Sequence, residues 1–101
     1  MQFEWDNKKN LLNKRKHGLS FEVASFVFQD PFLLSVPDDR HDYVEERWQS
    51  LGLVQGILIY VAHTVGEDQN GEEIIRIISA RAATPGETRR YYANRKYDER
   101  T

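Results

Sequence analysis

The side chains that could do chemistry in this chain are arginines, lysines, histidines, glutamates and tyrosines, because the sequence contains no cysteine. The lack of cysteine excludes a disulfide framework, a thiolate zinc site and a cysteine nucleophile. The three histidines show no HExxH motif or other paired-ligand spacing, so we predict no metal site. A glycine-rich phosphate loop and a GxSxG nucleophile elbow are also missing from the sequence. Several common enzyme classes are therefore excluded.

The remaining set of side chains suits RNA cleavage without a metal, in which the ribose 2′-hydroxyl attacks the adjacent phosphate. This reaction needs a base for the hydroxyl proton, cations for the charge of the phosphorane, and an acid for the leaving oxygen. His17 is a candidate acid or base, because histidine side chains exchange protons near neutral pH. The alternative is that His17 only favours the end of a helix, with Lys16 beside it as a surface residue.

Two arginines, Arg76 and Arg81, flank the apolar segment 77–80. A separation of five residues places them on opposite faces of an unbroken strand, so we expect at most one of them to face a given groove. Arg81 stands between a strand and a helix, at a position that often carries functional groups. The structural alternative for Arg81 is an ion pair with Glu87 or Glu46.

Glu46 is a second candidate base, and it precedes Arg47 directly. Because side chains alternate along a strand, we expect Glu46 and Arg47 to point to opposite faces.

Charge is distributed unevenly along the chain, although the net charge is only −2. Lysine and arginine exceed the acids by three over residues 1–18 and by four over residues 76–101, whereas acids exceed bases by five over 19–48 and by four over 49–75. If the two basic ends meet in space, they form a positive face that could hold a phosphate backbone. The alternative is that both are ordinary solvated surfaces.

The basic C-terminal segment supplies candidates for RNA binding in Arg89, Arg90 and Tyr91, with Tyr92 beside them. A tyrosine ring can stack on a nucleobase. The sequence favours the alternative for at least one of the two tyrosines, which is that it packs its helix onto a sheet.

Capping signals divide the chain into elements. Asp6 and Ser20 are predicted to begin two helices and Gly18 to end the first. Thr84, followed by proline and then by Glu87, predicts a capping box at the start of a last helix. The pattern of apolar residues predicts helices over 8–16, after Ser20 and after Thr84, and strands over 2–5, 32–36, 45–54, 57–64 and 74–80.

The resulting order is β-α-α-β-β-β-β-α, which predicts a single α+β domain over residues 1–101 with helices packed on a mostly antiparallel sheet. We expect a break or bulge at Gly52 and a hairpin turn at Asn70-Gly71. No apolar run approaches the roughly 18 residues of a membrane helix, and the first ten residues lack an apolar signal core. We therefore expect a cytoplasmic location without membrane contact.

A series of segments, taken in chain order, resembles the BrnT family of toxins. The segments are Phe3-Glu4-Trp5-Asp6, Lys9, Asn13, Lys16-His17-Gly18, Phe21 with Ala24 and Phe28, Asp30-Pro31, Glu46-Arg47-Trp48 with Gly52, and Arg76-Ile77-Ile78-Ser79-Ala80-Arg81-Ala82 with Glu87 and Tyr91. The resemblance covers nearly the whole chain.

This resemblance implies a fold like that of the RelE-type ribonuclease toxins and membership of a type II toxin–antitoxin pair. It implies RNA cleavage without a metal or cofactor, inhibition of translation, and silencing by a BrnA-like antitoxin with a ribbon-helix-helix domain. The complex would bind and repress its own operator, so that DNA is contacted only through the antitoxin. On matching positions, the implied functional residues are Lys16, His17, Arg47 and Arg81, and less directly Arg76 and Glu46.

One segment departs from the family pattern. BrnT proteins often carry a basic residue just after the threonine that corresponds to Thr64, whereas an acidic segment, 65–71, follows here. A missing cation would remove a phosphate contact. This leaves two alternatives to an active ribonuclease: a binding module without catalysis, or a weak family member that serves as partner of a DNA-binding antitoxin. The acidic residues Asp38, Asp39, Asp42 and Glu45 are a candidate docking surface for a basic partner.

Overall fold

The computed structural model describes the backbone of residues 1–38 and 46–100 and the side chains of residues 1–38 and 46–97. Within these described ranges, three helices and five strands follow one another in the predicted order. They are β1 (Gln2–Glu4), α1 (Asn7–His17), α2 (Phe21–Ser25) with a short 3₁₀ helix (Phe26–Gln29), β2 (Leu34–Pro37), β3 (Arg47–Val54), β4 (Ile57–Glu67), β5 (Glu73–Ala82) and α3 (Pro85–Arg100). The α+β class is therefore confirmed.

The five strands form one mixed sheet in the order β1-β5-β4-β3-β2. Three of the pairings are antiparallel, and β1 pairs with β5 in parallel. The parallel pair joins the two ends of the chain, as does α1, which packs on β5. The N-terminal basic segment therefore lies beside β5, which carries Arg76 and Arg81 of the C-terminal basic segment, whereas α3 packs near β3.

Each face of the sheet buries its own cluster of apolar side chains. The α2 face packs Phe21, Ala24 and Val27 against Ile59, Val61, Ile75, Ile77 and Ala80. The α3 face packs Tyr91 against Leu51 and Tyr60. Because α3 covers only one end of its face, the rest of that face carries polar and charged side chains.

The predicted helix ends are confirmed. The Asp6 carboxylate accepts hydrogen bonds from the backbone N–H groups of Lys8 and Lys9, and the Ser20 hydroxyl accepts one from Val23. Gly18 ends α1 with a φ of 75°, a conformation that glycine adopts at little cost. Thr84 and Glu87 form the predicted capping box at the start of α3.

The predicted break at Gly52 is wrong, because Gly52 pairs with Ile59 within an unbroken β3. Glycine is required there for another reason. A Cβ atom at this position would lie 2.7 Å from Val27 Cβ and 2.8 Å from the Val27 carbonyl oxygen. The 3₁₀ helix therefore approaches the sheet as closely as it does only because β3 has no side chain at Gly52.

The hairpin turns differ in part from expectation. β4 continues to Glu67, where the sequence predicts a turn from Gly66, and Glu67 pairs with Glu73. Gly71 has a φ of 77° within that turn, as the Asn70-Gly71 signal indicates. A second turn, Gln55-Gly56, joins β3 to β4 with both φ angles positive, at 51° and 82°.

No helix in the described part of the chain is both long and apolar enough to cross a membrane.

Candidate functional site

A β-bulge in β5 decides which side chains share the α3 face. Ala62 pairs with Ser79 and His63 pairs with Ile77, so Ile78 is an extra residue on β5. The extra residue reverses the alternation of side chains after it. Arg76 lies opposite Thr64 and Arg81 opposite Tyr60, and these two positions of β4 share a face. The prediction that at most one of the two arginines faces a given groove is therefore wrong, because it assumed an unbroken strand.

Arg47 lies on the same face as the other two arginines. Thr64 has Arg47 opposite it on β3 and Arg76 opposite it on β5, and Arg76 in turn lies opposite Glu4 on β1. Neighbouring strands are about 4.8 Å apart, so the backbones at Arg47 and Arg76 are separated by about 10 Å. We call the surface that carries Arg47, Arg76 and Arg81 the arginine face.

Arg81 is held in a defined position by two contacts. Its guanidinium donates hydrogen bonds to both carboxylate oxygens of Glu87, at 2.7 and 3.0 Å. The guanidinium carbon also lies 3.9 Å from the centre of the Tyr60 ring. The hydrogen bonds from Arg81 lower the pKa of Glu87, against the opposing effect of burial and with further help from the Thr84 backbone. The structural alternative for Arg81, an ion pair with Glu87, is thus confirmed, and Glu46 is not its partner among the bonds described.

Arg76 is more open to solvent. Its Nη1 atom lies 3.4 Å from the Glu4 carboxylate, and the two side chains are 44% and 52% exposed, so the ion pair stabilises the fold only weakly. Glu46 lies just before β3, where strand alternation does not apply, and it lines one cavity together with Thr64 and Arg76. The expectation that Glu46 points away from the face of Arg47 therefore fails, because the strand begins two residues later than predicted, at Arg47.

Lys16 and His17 lie in the last turn of α1, and both are exposed. They follow Asn13 by three and four residues, and Asn13 bonds to Ala80 of β5. The end of α1 is consequently close to the edge of β5 at the residue before Arg81. Within residues 1–38 and 46–97, no hydrogen bond or ion pair joins either side chain to the arginine face.

Tyr91 is fully buried, which argues against the prediction that it stacks on RNA bases. Its hydroxyl donates a hydrogen bond to Asp30, whose other bonds come from the backbone N–H groups of Phe32 and Leu53. Burial, together with the Asp30 carboxylate, raises the pKa of Tyr91 to about 12. The residue thus packs α3 onto the sheet, the alternative that the sequence left open. Tyr92 remains 47% exposed.

Arg89 and Arg90 are exposed on α3. They lie on the helix rather than on the sheet, so they could extend the arginine face only at its rim.

A buried polar network lies on the opposite side of the sheet, and the sequence does not predict it. His63 is buried, and its Nε2 atom is 2.6 Å from the Ser50 hydroxyl, which is 2.7 Å from that of Ser35. Burial lowers the pKa of His63, although its bond to the Thr64 carbonyl oxygen opposes the shift. This network lies on the α2 face, away from the arginine face, because Ser50 and His63 alternate with Arg47 and Thr64. No motif in the sequence marks it.

The acidic docking surface falls largely outside the described residues, which exclude Asp39, Asp42 and Glu45. Asp38 is described, and its backbone N–H bonds to the carbonyl oxygen of Arg47 at 2.8 Å. The described side chains include no group of three histidines or carboxylates placed to hold a metal ion.

A comparison with models of known protein families shows to which family the chain belongs. Residues 5–87 match the model described as the ribonuclease toxin BrnT of type II toxin–antitoxin systems. The chain belongs to the BrnT family. A comparison with curated proteins gives no match. The BrnT match includes Lys16, His17, Glu46, Arg47, Arg76 and Arg81 and ends at Glu87, the partner of Arg81. Arg89, Arg90 and Tyr91 lie beyond it.

Membership of the BrnT family makes the chain a ribonuclease toxin of the type II class, and such a toxin has an antitoxin partner. The roles of the individual residues on the arginine face remain predictions.

Proposed function

We propose that this BrnT toxin cleaves RNA without a metal and that the arginine face binds the phosphate at the cleavage point. The observation that carries the proposal is the bulge at Ile78, which places Arg76 and Arg81 on one face with Arg47. Three guanidinium groups on an open sheet surface can pair with the phosphates of a single strand.

The proposed reaction is an intramolecular transesterification. The 2′-oxygen attacks phosphorus while a base takes its proton, and the bond from phosphorus to the 5′-oxygen breaks as an acid supplies a proton to that oxygen. The products are a 2′,3′-cyclic phosphate and a 5′-hydroxyl. Arg47 and Arg81 would stabilise the phosphorane, and His17, Lys16 and Glu46 are the candidates for proton transfer.

Arg81 suits this role because Glu87 and Tyr60 fix its guanidinium before RNA arrives. A fixed donor loses little conformational freedom when the negative charge develops. The order of elements and the meeting of the chain ends support a RelE-like fold for the domain.

The cellular part of the proposal follows from the family. We propose a cytoplasmic toxin that inhibits translation and is neutralised by a BrnA-like ribbon-helix-helix antitoxin, with operator DNA bound only through that antitoxin. The type II toxin class supports an antitoxin partner of this kind.

The test is cleavage of a defined RNA by the purified toxin in excess EDTA. We expect products with a 2′,3′-cyclic phosphate, and no cut where the attacking ribose is replaced by 2′-deoxyribose. Arg47→Ala should slow cleavage by about 100-fold or more, whereas Arg15→Ala, which removes an exposed arginine of α1, should change it little. Cleavage that requires a divalent ion, or that survives 2′-deoxy substitution, would refute the mechanism.

A second function is favoured by one observation, which is that Arg76 and Arg81 both contact carboxylates of the chain itself. Such carboxylates compete with phosphate, as they would in a weak family member that mainly binds its antitoxin. The cleavage assay, with antitoxin binding measured beside it, separates the two functions. A chain that binds antitoxin tightly, and that cleaves no RNA either as the parent or as the Glu87→Gln variant, would belong to the second class.

A further inference from the structure

A cavity of about 280 Å³ opens on the α3 face at the end of the sheet away from α3. Thr64 and Gly66 of β4 lie opposite Arg76 and Ile74 of β5. The cavity is also lined by Glu4, Glu46, Val65 and Glu67. The cavity adjoins Arg76 and therefore belongs to the edge of the arginine face. Its volume is sufficient for a planar heterocycle and too small for a folded polypeptide segment.

Thr64 is the first sign that the cavity takes a polar ligand. The residue is only 8% exposed, and its hydroxyl forms no hydrogen bond with any described residue. The hydroxyl is not among the polar atoms that the protein encloses without a partner. Because Thr64 lines the cavity, a group that enters it can form a hydrogen bond with this hydroxyl.

Gly66 keeps the cavity open. A Cβ atom built on Gly66 meets no other atom within 4 Å, and the backbone there does not have a positive φ. Neither turn geometry nor close packing requires glycine at this position of β4. A side chain at residue 66 would instead occupy the space beside Thr64, since alternate residues of a strand share a face.

The charges around the cavity determine which ligand fits. Among the residues that the structure describes, three carboxylates line the cavity, those of Glu4, Glu46 and Glu67, and one cation, that of Arg76. This excess of negative charge disfavours a phosphate group inside the cavity, so RNA phosphates are left to the rest of the arginine face. Carboxylates accept hydrogen bonds from N–H groups, whereas the guanidinium donates to a carbonyl oxygen or ring nitrogen.

We propose that this cavity binds a guanine base of the RNA. Guanine is the RNA base whose pairing edge offers two adjacent N–H donors, which one carboxylate can accept together, beside a carbonyl oxygen for Arg76 or Thr64. Proteins commonly recognise RNA sequence by binding a base that has left its stack. The inference rests on the proposed function, since it gives the RNA-binding face a base preference.

The test is an NMR titration of the full chain with guanosine, adenosine, cytidine, uridine and inosine. We expect guanosine to bind about tenfold more tightly than the other nucleosides and to shift the backbone signals of residues 64–67 and 74–76. Inosine, which lacks the exocyclic amine of guanosine, should bind more weakly. Equal affinities, or shifts confined to other residues, would overturn the proposal.

Variants make the test specific to the cavity. Gly66→Val should abolish guanosine binding without loss of stability, and Glu46→Gln should weaken it about tenfold. Glu73→Gln is the control, because this exposed carboxylate does not line the cavity and its loss should leave binding unchanged. Unaltered guanosine binding by Gly66→Val would refute the site.

RNA cleavage, measured in parallel, separates this inference from the proposed function. Guanosine binding without cleavage would leave the cavity assigned and remove the ribonuclease mechanism. Cleavage that shows no preference for guanosine, together with equal nucleoside affinities, would support the ribonuclease mechanism and refute the guanine site.

Discussion

Arg81 joins the end of β5 to the start of α3. Its guanidinium pairs with both oxygens of Glu87, and Glu87 Oε1 also accepts the backbone N–H of Thr84 that begins the helix. Because the Arg81 side chain is only 34% exposed and has fixed partners, we expect it to contribute to the stability of the fold.

We predict that Arg81→Ala lowers the free energy of unfolding by about 1–2 kcal/mol, through the lost hydrogen bonds and the lost contact with the Tyr60 ring. Urea denaturation measures this directly. Arg89→Ala, which removes an exposed arginine of α3, should change stability by less than about 0.5 kcal/mol. Equal effects of the two substitutions would show that the Arg81 contacts add nothing to stability.

The ion pair between Arg81 and Glu87 predicts that the stability of the fold depends on pH. The pKa of Glu87 is lowered in the folded chain, chiefly by Arg81, so its stabilising effect is present above the ordinary value of 4.5. It is lost as the pH falls below 4.5 through the lowered folded value. The stability difference between the parent chain and Arg81→Ala should therefore shrink from pH 6 to pH 3. A difference that stayed constant would contradict the role of Glu87.

At the scale of elements, α1 is attached to the sheet by a polar residue. Asn13 is the one buried residue of this helix, and its amide bonds to both the N–H and the carbonyl oxygen of Ala80 and to the carbonyl oxygen of Leu19. The amide thus pairs with the β5 backbone beyond the end of the short strand β1, as a neighbouring strand would. This contact positions Lys16 and His17.

Asn13→Ala should lower the free energy of unfolding by about 2–4 kcal/mol, because it leaves buried backbone groups without partners. Asn7→Ala, at an exposed position of the same helix, is the matched control and should have little effect. If both variants unfold at the same urea concentration, α1 is not held by Asn13.

Gly52 of β3 and Gly66 of β4 differ in the space around them, so alanine at each position should affect stability differently. Gly52→Ala places a methyl group within 2.8 Å of two Val27 atoms and should destabilise the fold by about 1–3 kcal/mol. Gly66→Ala meets nothing within 4 Å and should leave stability unchanged or raise it slightly. Thermal unfolding of both variants measures the difference, and the opposite order of stabilities would contradict the packing described here.

Caps and most strands could be predicted from sequence because each depends on residues close together in the chain. Asp6, Gly18 and the Thr84–Glu87 box are such local signals, and all are confirmed. The bulge at Ile78 could not be predicted, since nothing local distinguishes residues 76–82 from an unbroken strand. The grouping of Arg76 with Arg81 depends on that bulge and was therefore missed.

At the scale of the whole molecule, the mixed sheet brings together charged side chains that are far apart in the sequence. The parallel pairing of β1 with β5 brings Glu4 to Arg76, and the pairing of β3 with β4 brings Arg47 to Thr64. The sequence offered Glu87 as a partner of Arg81, but the charge distribution could not show that Glu4 would accompany Arg76. These long-range pairings determine the electrostatics of the arginine face.

The most direct test of the central claim is growth and protein synthesis after induced expression of the chain alone. We predict that the parent chain stops both, that Arg47→Ala combined with Arg76→Ala stops neither although it is soluble and folded, and that the charge-matched control Lys8→Ala with Arg15→Ala remains toxic. The account would be contradicted if the parent chain were harmless, or if the double variant of the arginine face were as toxic as the parent.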